Sequence, residues 1–327
     1  MSSLSRRAAA GLLAGALVLP FAVAPAVAAD TPKEIRIDWA TYNPVSLVLK
    51  DKGLLEKELA KDGIAVRWVQ SLGSNKALEF LNAGSIDFGS TAGSAALVAK
   101  INGNPIKSIY VYSRPEWTAL VTRKDSPIKS VADLKGKRVA VTRGTDPHIF
   151  LVRALLDAGL TERDIKPVLL QHPDGKTALI RGDVDAWAGL DPMMAQAEVE
   201  DGAVLVHRKP EANTWGILNV REAFLKDHPA LVARVLAVYE EARKQALADP
   251  EGLKKTFMAV TKLPEAVVEK QLKERTELTH SRIGAPQRES ILAAGLALQQ
   301  AGVIAPTVDV KATVDALIED RLAAAGN

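Results

Sequence analysis

One pattern recurs three times in the first half of the chain: a short apolar stretch, a turn of small or polar residues, and an amphipathic helix. The clearest copy is residues 138–160, where an apolar strand runs into Asp146 and Pro147, a favoured helix start. Residues 66–83 and 85–99 repeat the pattern. Repeated strand–turn–helix units predict an α/β fold that binds ligands at the carboxyl ends of its strands.

The helix of each unit presents unpaired backbone N–H groups and the positive end of its dipole to the space beyond the strand. For any single helix, the simplest interpretation is that residues such as Thr145 and Asp146 only cap it. Three helix starts, after Gly73, Thr91 and Gly144, could instead converge on one cleft. Such a cleft would bind a small anion through backbone N–H groups.

The length of the chain, 327 residues, exceeds what one compact core usually holds, so we predict two lobes. A charged, turn-rich segment at residues 123–127 marks the crossing into lobe two. We therefore predict lobe one at residues 29–121 and 219–327, and lobe two as the insertion 122–218. Later helical stretches begin at prolines, and this helical tail is predicted to pack against lobe one.

The first 28 residues have the pattern of an export signal. Arg6 and Arg7 precede an apolar run, and Ala-Val-Ala at residues 26–28 is a cleavage site of small residues. Both the Sec and the twin-arginine routes stay open. Because the chain has no cysteine, it can carry neither a lipoprotein anchor nor a disulfide. We predict a monomer, free in the periplasm.

Other classes of function find no support in the sequence. The net charge is only +3 and no basic cluster is interleaved with aromatics, which argues against nucleic acid as a partner. The five histidines show no pair at metal-ligand spacing, and no nucleophile–base set or nucleotide fingerprint is present. We predict no metal, no cofactor and no enzymatic activity. An exported enzyme with the same architecture is the rival class.

Several stretches carry motifs of a known family. They are residues 50–56 (Lys-Asp-Lys-Gly-Leu-Leu-Glu), 81–89 (Leu-Asn-Ala-Gly-Ser-Ile-Asp-Phe-Gly), 124–137 (with Lys-Asp-Ser-Pro-Ile and Asp-Leu-Lys-Gly-Lys) and 184–192 (with Val-Asp-Ala-Trp and Asp-Pro). In this order they resemble the periplasmic binding proteins of ABC importers for aliphatic sulfonates, taurine and nitrate. The resemblance implies a two-lobed type II fold, two crossover strands, a cleft that closes on a small anion, and delivery to a membrane permease.

The candidate ligand-binding residues lie at turns after strands or on the crossing strands. They are Tyr42, Asn43, Gly73, Ser74, Asn75, Thr91, Ala92, Trp117, Gly144, Thr145, Asp146, His148, Asp174, Trp187 and Asp191. The hydroxyl groups of Ser74, Thr91 and Thr145 are expected to assist the backbone N–H groups. Capping is the alternative role for each polar residue of this set, and a place in the core is the alternative for Trp187.

Asp146 separates this sequence from its relatives. Sulfonate and taurine relatives carry consecutive Ser or Thr residues before a His at the turn that matches residues 144–148, whereas this chain has Asp146 and Pro147. The order Asp-Pro favours a helix cap. If the carboxylate instead faces the cleft, the ligand should carry a cationic or donor group beside its anion, as taurine does. We predict an aliphatic sulfonate as the ligand, with taurine, nitrate or a pyrimidine-type compound as the alternatives.

Overall fold

The structure, a computed structural model, describes residues 31–322. The predicted signal peptide at residues 1–28 lies outside the described residues. The strands are β1 (Glu34–Trp39), β2 (Ala65–Gln70), β3 (Phe88–Ala92), β4 (Ile106–Pro115), β5 (Leu120–Thr122), β6 (Arg138–Val141), β7 (Lys166–Leu169), β8 (Ala186–Ala188), β9 (Val204–His207), β10 (Gly216–Arg221) and β11 (Thr276–Glu277). They form two separate sheets, one in each lobe.

The helices flank these sheets. They are α1 (Pro44–Asp51), α2 (Leu54–Leu59), α3 (Ser74–Asn82), α4 (Gly93–Ile101), α5 (Asp146–Asp157), α6 (His172–Arg181), α7 (Met193–Asp201), α8 (Glu222–Asp227), α9 (Pro229–Ala248), α10 (Pro250–Thr261), α11 (Glu265–Glu269), α12 (Ala285–Gln300) and α13 (Val310–Leu317). A π-helical turn, Lys270–Glu274, extends α11. Within residues 31–322, no helix combines the length and apolar character that a membrane span requires.

The sheet of lobe one has the strand order β11-β4-β10-β3-β1-β2. Strand β1 pairs in parallel with β2 and β3, so the helices that follow these strands begin at one edge of the sheet. Strand β10 lies antiparallel between β3 and β4, although it comes about a hundred residues later in the chain. Lobe one is therefore built from two separate parts of the sequence.

The sheet of lobe two has the strand order β7-β6-β8-β5-β9. Strand β6, the organising strand of the sequence, pairs in parallel with β7 and β8. The predicted α/β fold and two-lobed architecture are confirmed. The predicted lobe boundaries, after residues 121 and 218, would cut through β5 and β10. Each of these strands, however, belongs entirely to one sheet. We propose that the boundaries lie in the connections instead, at residues 116–119 and 208–215.

The helical tail packs on lobe one, as predicted, but also contacts lobe two. Helix α9 lies on α1 and α2, and α12 and α13 lie on α4. In addition α12 contacts α5, and α11 contacts α7. The tail thus contacts both lobes.

Several local predictions need correction. The apolar spacing of residues 46–61 predicts one helix, but the structure has two, because Gly53 adopts a left-handed conformation with φ 56°. The small side chains of residues 90–93 predict a turn, but residues 90–92 end β3, where they pair with β10, and Gly93 begins α4. The sequence predicts a helix from residue 176, but α6 already begins at His172, since Pro173 suits its first turn. Asp174 therefore lies inside a helix, not in a turn.

Candidate functional site

Three helix starts meet around Asn75, at the beginning of α3 in lobe one. Its Nδ2 lies 3.5 Å from Oε1 of Gln171, which precedes α6 in lobe two. A Cβ built on Gly144, which precedes α5, would lie 3.6 Å from the Cβ of Asn75. The N-termini of α3, α5 and α6 therefore face one another across the inter-lobe cleft. Two of these starts, those of α3 and α5, are among the three that the sequence predicted to converge.

A small cavity, with room for about one water molecule, adjoins this meeting point. It is lined by Tyr42, Ser74, Trp117, Thr145, Asp146, Pro147 and Leu190. Both lobes and the outgoing crossing contribute to the lining. The first five of these residues belong to the predicted set, whereas Pro147 and Leu190 do not.

The start of α3 is held against the neighbouring strand. The backbone N–H of Ala92 donates to Ser74 Oγ at 2.9 Å, which leaves the Ser74 hydroxyl proton to donate elsewhere. Gly73, in extended backbone, has no room for a side chain: a Cβ would lie 2.9 Å from Asn75 Oδ1 and 3.1 Å from the His172 ring. The first N–H groups of α3 have no partner within the helix.

The start of α5 is a tight turn at Gly144, whose φ of 76° suits glycine. The Thr145 hydroxyl donates to the carbonyl of Thr142 at 2.6 Å. It therefore has a partner other than the ligand headgroup that the sequence analysis expected. Pro147 lacks an N–H, so the donors at this helix start are those before it.

Asp146 does not cap its helix, so the interpretation favoured from the Asp-Pro order is wrong. Its Oδ2 accepts from Trp117 Nε1 at 2.8 Å and from the backbone N–H of Thr214 at 3.0 Å. Its Oδ1 accepts from the Thr214 hydroxyl at 2.7 Å and from the Ser94 hydroxyl. Burial raises the pKa of this carboxyl, and the four donors oppose that shift.

The geometry also weakens the second interpretation of Asp146, a carboxylate that waits for a cationic ligand group. Both of its oxygens are already satisfied by protein donors. These donors come from α4 in lobe one and from both inter-lobe crossings. Asp146 therefore links the two lobes.

The predicted anion site at the start of α4 is occupied by the returning chain. The N–H of Gly93 donates to the carbonyl of Trp215 at 3.0 Å, and the N–H of Ser94 donates to the Thr214 hydroxyl at 3.2 Å. Thr91 lies within β3, where its Oγ1 accepts from Asn219 Nδ2 at 2.7 Å. Ala92 ends the same strand. Thr91 and the N-terminus of α4 are thus parts of the lobe-one scaffold.

Two further predicted residues have internal partners. Asn43 is fully buried, caps α1, and donates from Nδ2 to Ser90 Oγ and the Tyr239 hydroxyl, each at 2.8 Å. His148 Nε2 lies 3.1 Å from Glu162 Oε1, on lobe two. The structure therefore places both outside the group of residues that line the cavity.

The remaining predicted residues lie in lobe two, away from the cavity lining. Asp174 is exposed in the first turn of α6. Trp187 is fully buried in the core, and a Cβ on Gly175 would lie 2.7 Å from its Nε1. Asp191 is buried, and its Oδ1 lies 3.2 Å from Arg275 Nη1. The alternative role in the core therefore fits Trp187.

The predicted set lacks three residues at the cleft. Pro147 and Leu190 line the cavity, and His172, at the start of α6, is fully buried against Gly73. The signal for His172 was the placement of Pro173 directly after it, the same pattern that follows Asp146. Across residues 31–322, no cluster of His, Asp and Glu is arranged to hold a metal ion.

Two α/β lobes with helix N-termini facing each other across a cleft define a protein with the periplasmic binding protein fold. The chain belongs to the NMT1/THI5-like family, whose profile matches residues 50–253. It is 32% identical over 287 residues to a protein of Escherichia coli (strain K12) named as an aliphatic sulfonates-binding protein, a match that covers 87% of this chain and 88% of that protein.

Solved structures agree with this assignment. The chain is similar to the alkanesulfonate-binding protein SsuA from Xanthomonas axonopodis pv. citri bound to MOPS, with a TM-score of 0.80, 27% identity, and coverage of 88% of this chain and 98% of that one. The desulfurization enzyme DSZB shares the fold at 15% identity, with a TM-score of 0.64 and coverage of 88% and 97%. The predicted resemblance is confirmed, and the chain is a solute-binding receptor.

Proposed function

We propose that this receptor captures an aliphatic sulfonate in its inter-lobe cleft and delivers it to the membrane permease of an ABC importer. The observation that carries the proposal is the meeting of the α3, α5 and α6 starts around Asn75. Helix N-termini bind anions through backbone N–H groups and the positive ends of their dipoles. Relatives and structural neighbours that are named for sulfonates support the same ligand class.

The chemistry of the cavity suits a group that only accepts hydrogen bonds. Ser74 has a hydroxyl proton to donate, and the first N–H groups of α3 point the same way as its dipole. None of the seven lining residues is cationic, so dipoles and neutral donors would balance the charge of the ligand. A sulfonate, with its charge spread over three oxygens, matches several weak donors.

The apolar part of the cavity favours an organic anion over an inorganic one. Pro147 and Leu190 line it, together with the rings of Tyr42 and Trp117. The two rings meet edge to face, with centroids 6.0 Å apart and an interplanar angle of 82°. An alkyl chain that packs against these groups gains free energy from the apolar surface that it buries.

We further propose that the receptor works as a monomer in the periplasm, after removal of residues 1–28, and that it has no catalytic activity. The carboxylate nearest to the cavity, Asp146, is held by four donors and so is not placed to act as a base. The Thr145 hydroxyl is held by a carbonyl. These contacts support a role in binding rather than in reaction.

Calorimetric titration of the purified protein with alkanesulfonates, taurine, nitrate and sulfate tests the ligand. We expect one site per chain and the tightest binding for an alkanesulfonate.

Gly73→Ala should weaken binding roughly ten- to a hundredfold, because the added methyl group meets Asn75 and His172. Gly284→Ala is the matched control, since Gly284 also begins a helix but a Cβ there has nothing nearer than 3.6 Å. Tighter binding of nitrate or sulfate would contradict the proposal.

A further inference from the structure

His172 begins α6 on lobe two and is packed against lobe one. Its side chain has no solvent exposure. The ring atoms Cδ2 and Nε2 would each lie 3.1 Å from a Cβ built on Gly73, at the start of α3. The imidazole thus lies at a helix start that belongs to the opposite lobe.

Neither ring nitrogen of His172 has a hydrogen-bond partner among residues 31–322. A neutral imidazole carries one donor and one acceptor, and buried polar atoms are normally paired. By contrast, Nε2 of His148 on the neighbouring helix α5 lies 3.1 Å from a carboxylate oxygen of Glu162. An unpaired, fully buried imidazole between the lobes is thus free to pair with a group from outside the protein.

A second unpaired atom lies beside it. Oδ1 of Asn75 is buried without a partner in the described part of the chain, while its Nδ2 is only 3.5 Å from Gln171. The hydrogen-bonding capacity of this amide is therefore largely unused. Unpaired polar atoms from both lobes thus lie next to the first N–H groups of α3.

We propose that His172 is a ligand-binding residue, whose ring N–H donates to an oxygen of the anion bound at the start of α3. The inference rests on the proposed function and extends it to a residue of lobe two. Closure without ligand buries the unpaired imidazole at a cost in free energy. Closure around the anion pairs its N–H, so His172 makes closure depend on the ligand.

The imidazole acts as a neutral donor. Burial lowers the pKa of His172 to about 3, with no contribution from a charged neighbour. The positive dipole ends of α3 and α6 also disfavour an imidazolium at this position. Because the ring is neutral, it can donate to the ligand from one nitrogen only.

Two variants of His172 test the proposal by calorimetry with an alkanesulfonate. His172→Leu should bind about ten- to a hundredfold more weakly, as expected for one lost hydrogen bond to a charged group. His172→Gln keeps a donor and should bind more tightly than the leucine variant. His148→Leu is the matched control and should retain wild-type affinity. Equal affinity of wild type and His172→Leu, with folding checked by circular dichroism, would overturn the inference.

Small-angle scattering of the ligand-free proteins tests the same residue without any ligand. His172→Leu should be more compact than wild type, because closure no longer buries an unpaired imidazole. An unchanged radius of gyration would overturn the inference. If wild type binds none of the sulfonates, the proposed function fails, and scattering alone then decides the role of His172.

Discussion

The carboxylate of Asp146 holds together parts of the protein that are far apart in sequence. It accepts from Ser94 on lobe one, from Trp117 on the outgoing crossing and from Thr214 on the returning chain. Charge-assisted hydrogen bonds of this kind are stronger than neutral ones. The inter-lobe geometry therefore depends on one buried acceptor that faces donors only.

We predict that Asp146→Asn destabilises the protein by about 2 to 3 kcal/mol. An amide offers one oxygen, so its NH₂ group would face a donor such as Trp117 Nε1 or the Thr214 N–H. Urea unfolding monitored by fluorescence measures the loss. Asp174→Asn, at an exposed position, is the control and should change stability by less than about 0.5 kcal/mol. If Asp146→Asn leaves the free energy of unfolding unchanged, an amide can replace the carboxylate at this position, which contradicts the prediction.

His172 leads to a prediction about pH. Its pKa is lowered from 6.5 to about 3 by burial, so the native state favours the neutral ring. Above pH 6.5 the ring is neutral in the native and in the unfolded state, so the free energy of unfolding does not depend on it. Below pH 6.5 only the unfolded state takes up the proton, and the free energy of unfolding falls by about 1.4 kcal/mol per pH unit. Between pH 7.5 and 5.0 the wild type should therefore lose about 2 kcal/mol more than His172→Leu. Urea unfolding of both proteins at the two pH values measures the difference; parallel losses would exclude His172 as the titrating group.

The segment after α11 ties the helical tail to lobe two through Arg275. The guanidinium lies 3.2 Å from Asp191 Oδ1, also contacts Glu198 on α7, and is almost completely buried. Burial raises the pKa of Asp191 to about 6, although the positive charge of Arg275 opposes the shift. Two carboxylates thus face the buried guanidinium of Arg275, and Lys270 lies 3.9 Å from the one on Glu198.

Arg275→Met should cost about 3 to 5 kcal/mol of stability, because it leaves the buried carboxylate of Asp191 without its cation. Thermal and urea unfolding at neutral pH measure the cost. Arg321→Met serves as the control, since Arg321 pairs with Glu319 at an exposed position. The control should lose less than about 1 kcal/mol. Equal effects of the two substitutions would mean that the buried cluster contributes no more than a surface pair.

Elements with strong local signals were predicted well, and elements defined by distant partners were not. The sequence predicts a helix over residues 229–248, and α9 (Pro229–Ala248) has these bounds, because Pro229 marks its start. Ser90 and Thr91 resemble a turn by composition, but their pairing with β10 makes them a strand, and no local signal encodes that partner. The same limit applies to the site. Five lining residues follow strands and were predicted, whereas the burial of His172 comes from a contact between lobes.

Across the whole molecule, the two lobes differ in how their chains are assembled. Every strand of the lobe-two sheet comes from residues 116–215, whereas the lobe-one sheet needs strands from both sides of that insertion. We predict that a fragment of residues 116–215 folds alone, while residues 31–115 do not. Circular dichroism and amide NMR spectra of the two fragments check this. A cooperatively folded 31–115 fragment would show that β10 is dispensable for lobe one.

Strand β10 imposes an order on folding. During synthesis from the amino end, β3 and β4 exist for about a hundred residues before Gly216–Arg221 arrives to lie between them. Until then each presents an unpaired edge, which can capture a strand of another chain. Strand β10 also pairs with residues of β3 and β4 that are far away in sequence, and such pairings form slowly. Newly made chains are therefore most exposed to misassembly in the interval between the completion of β4 and the arrival of β10.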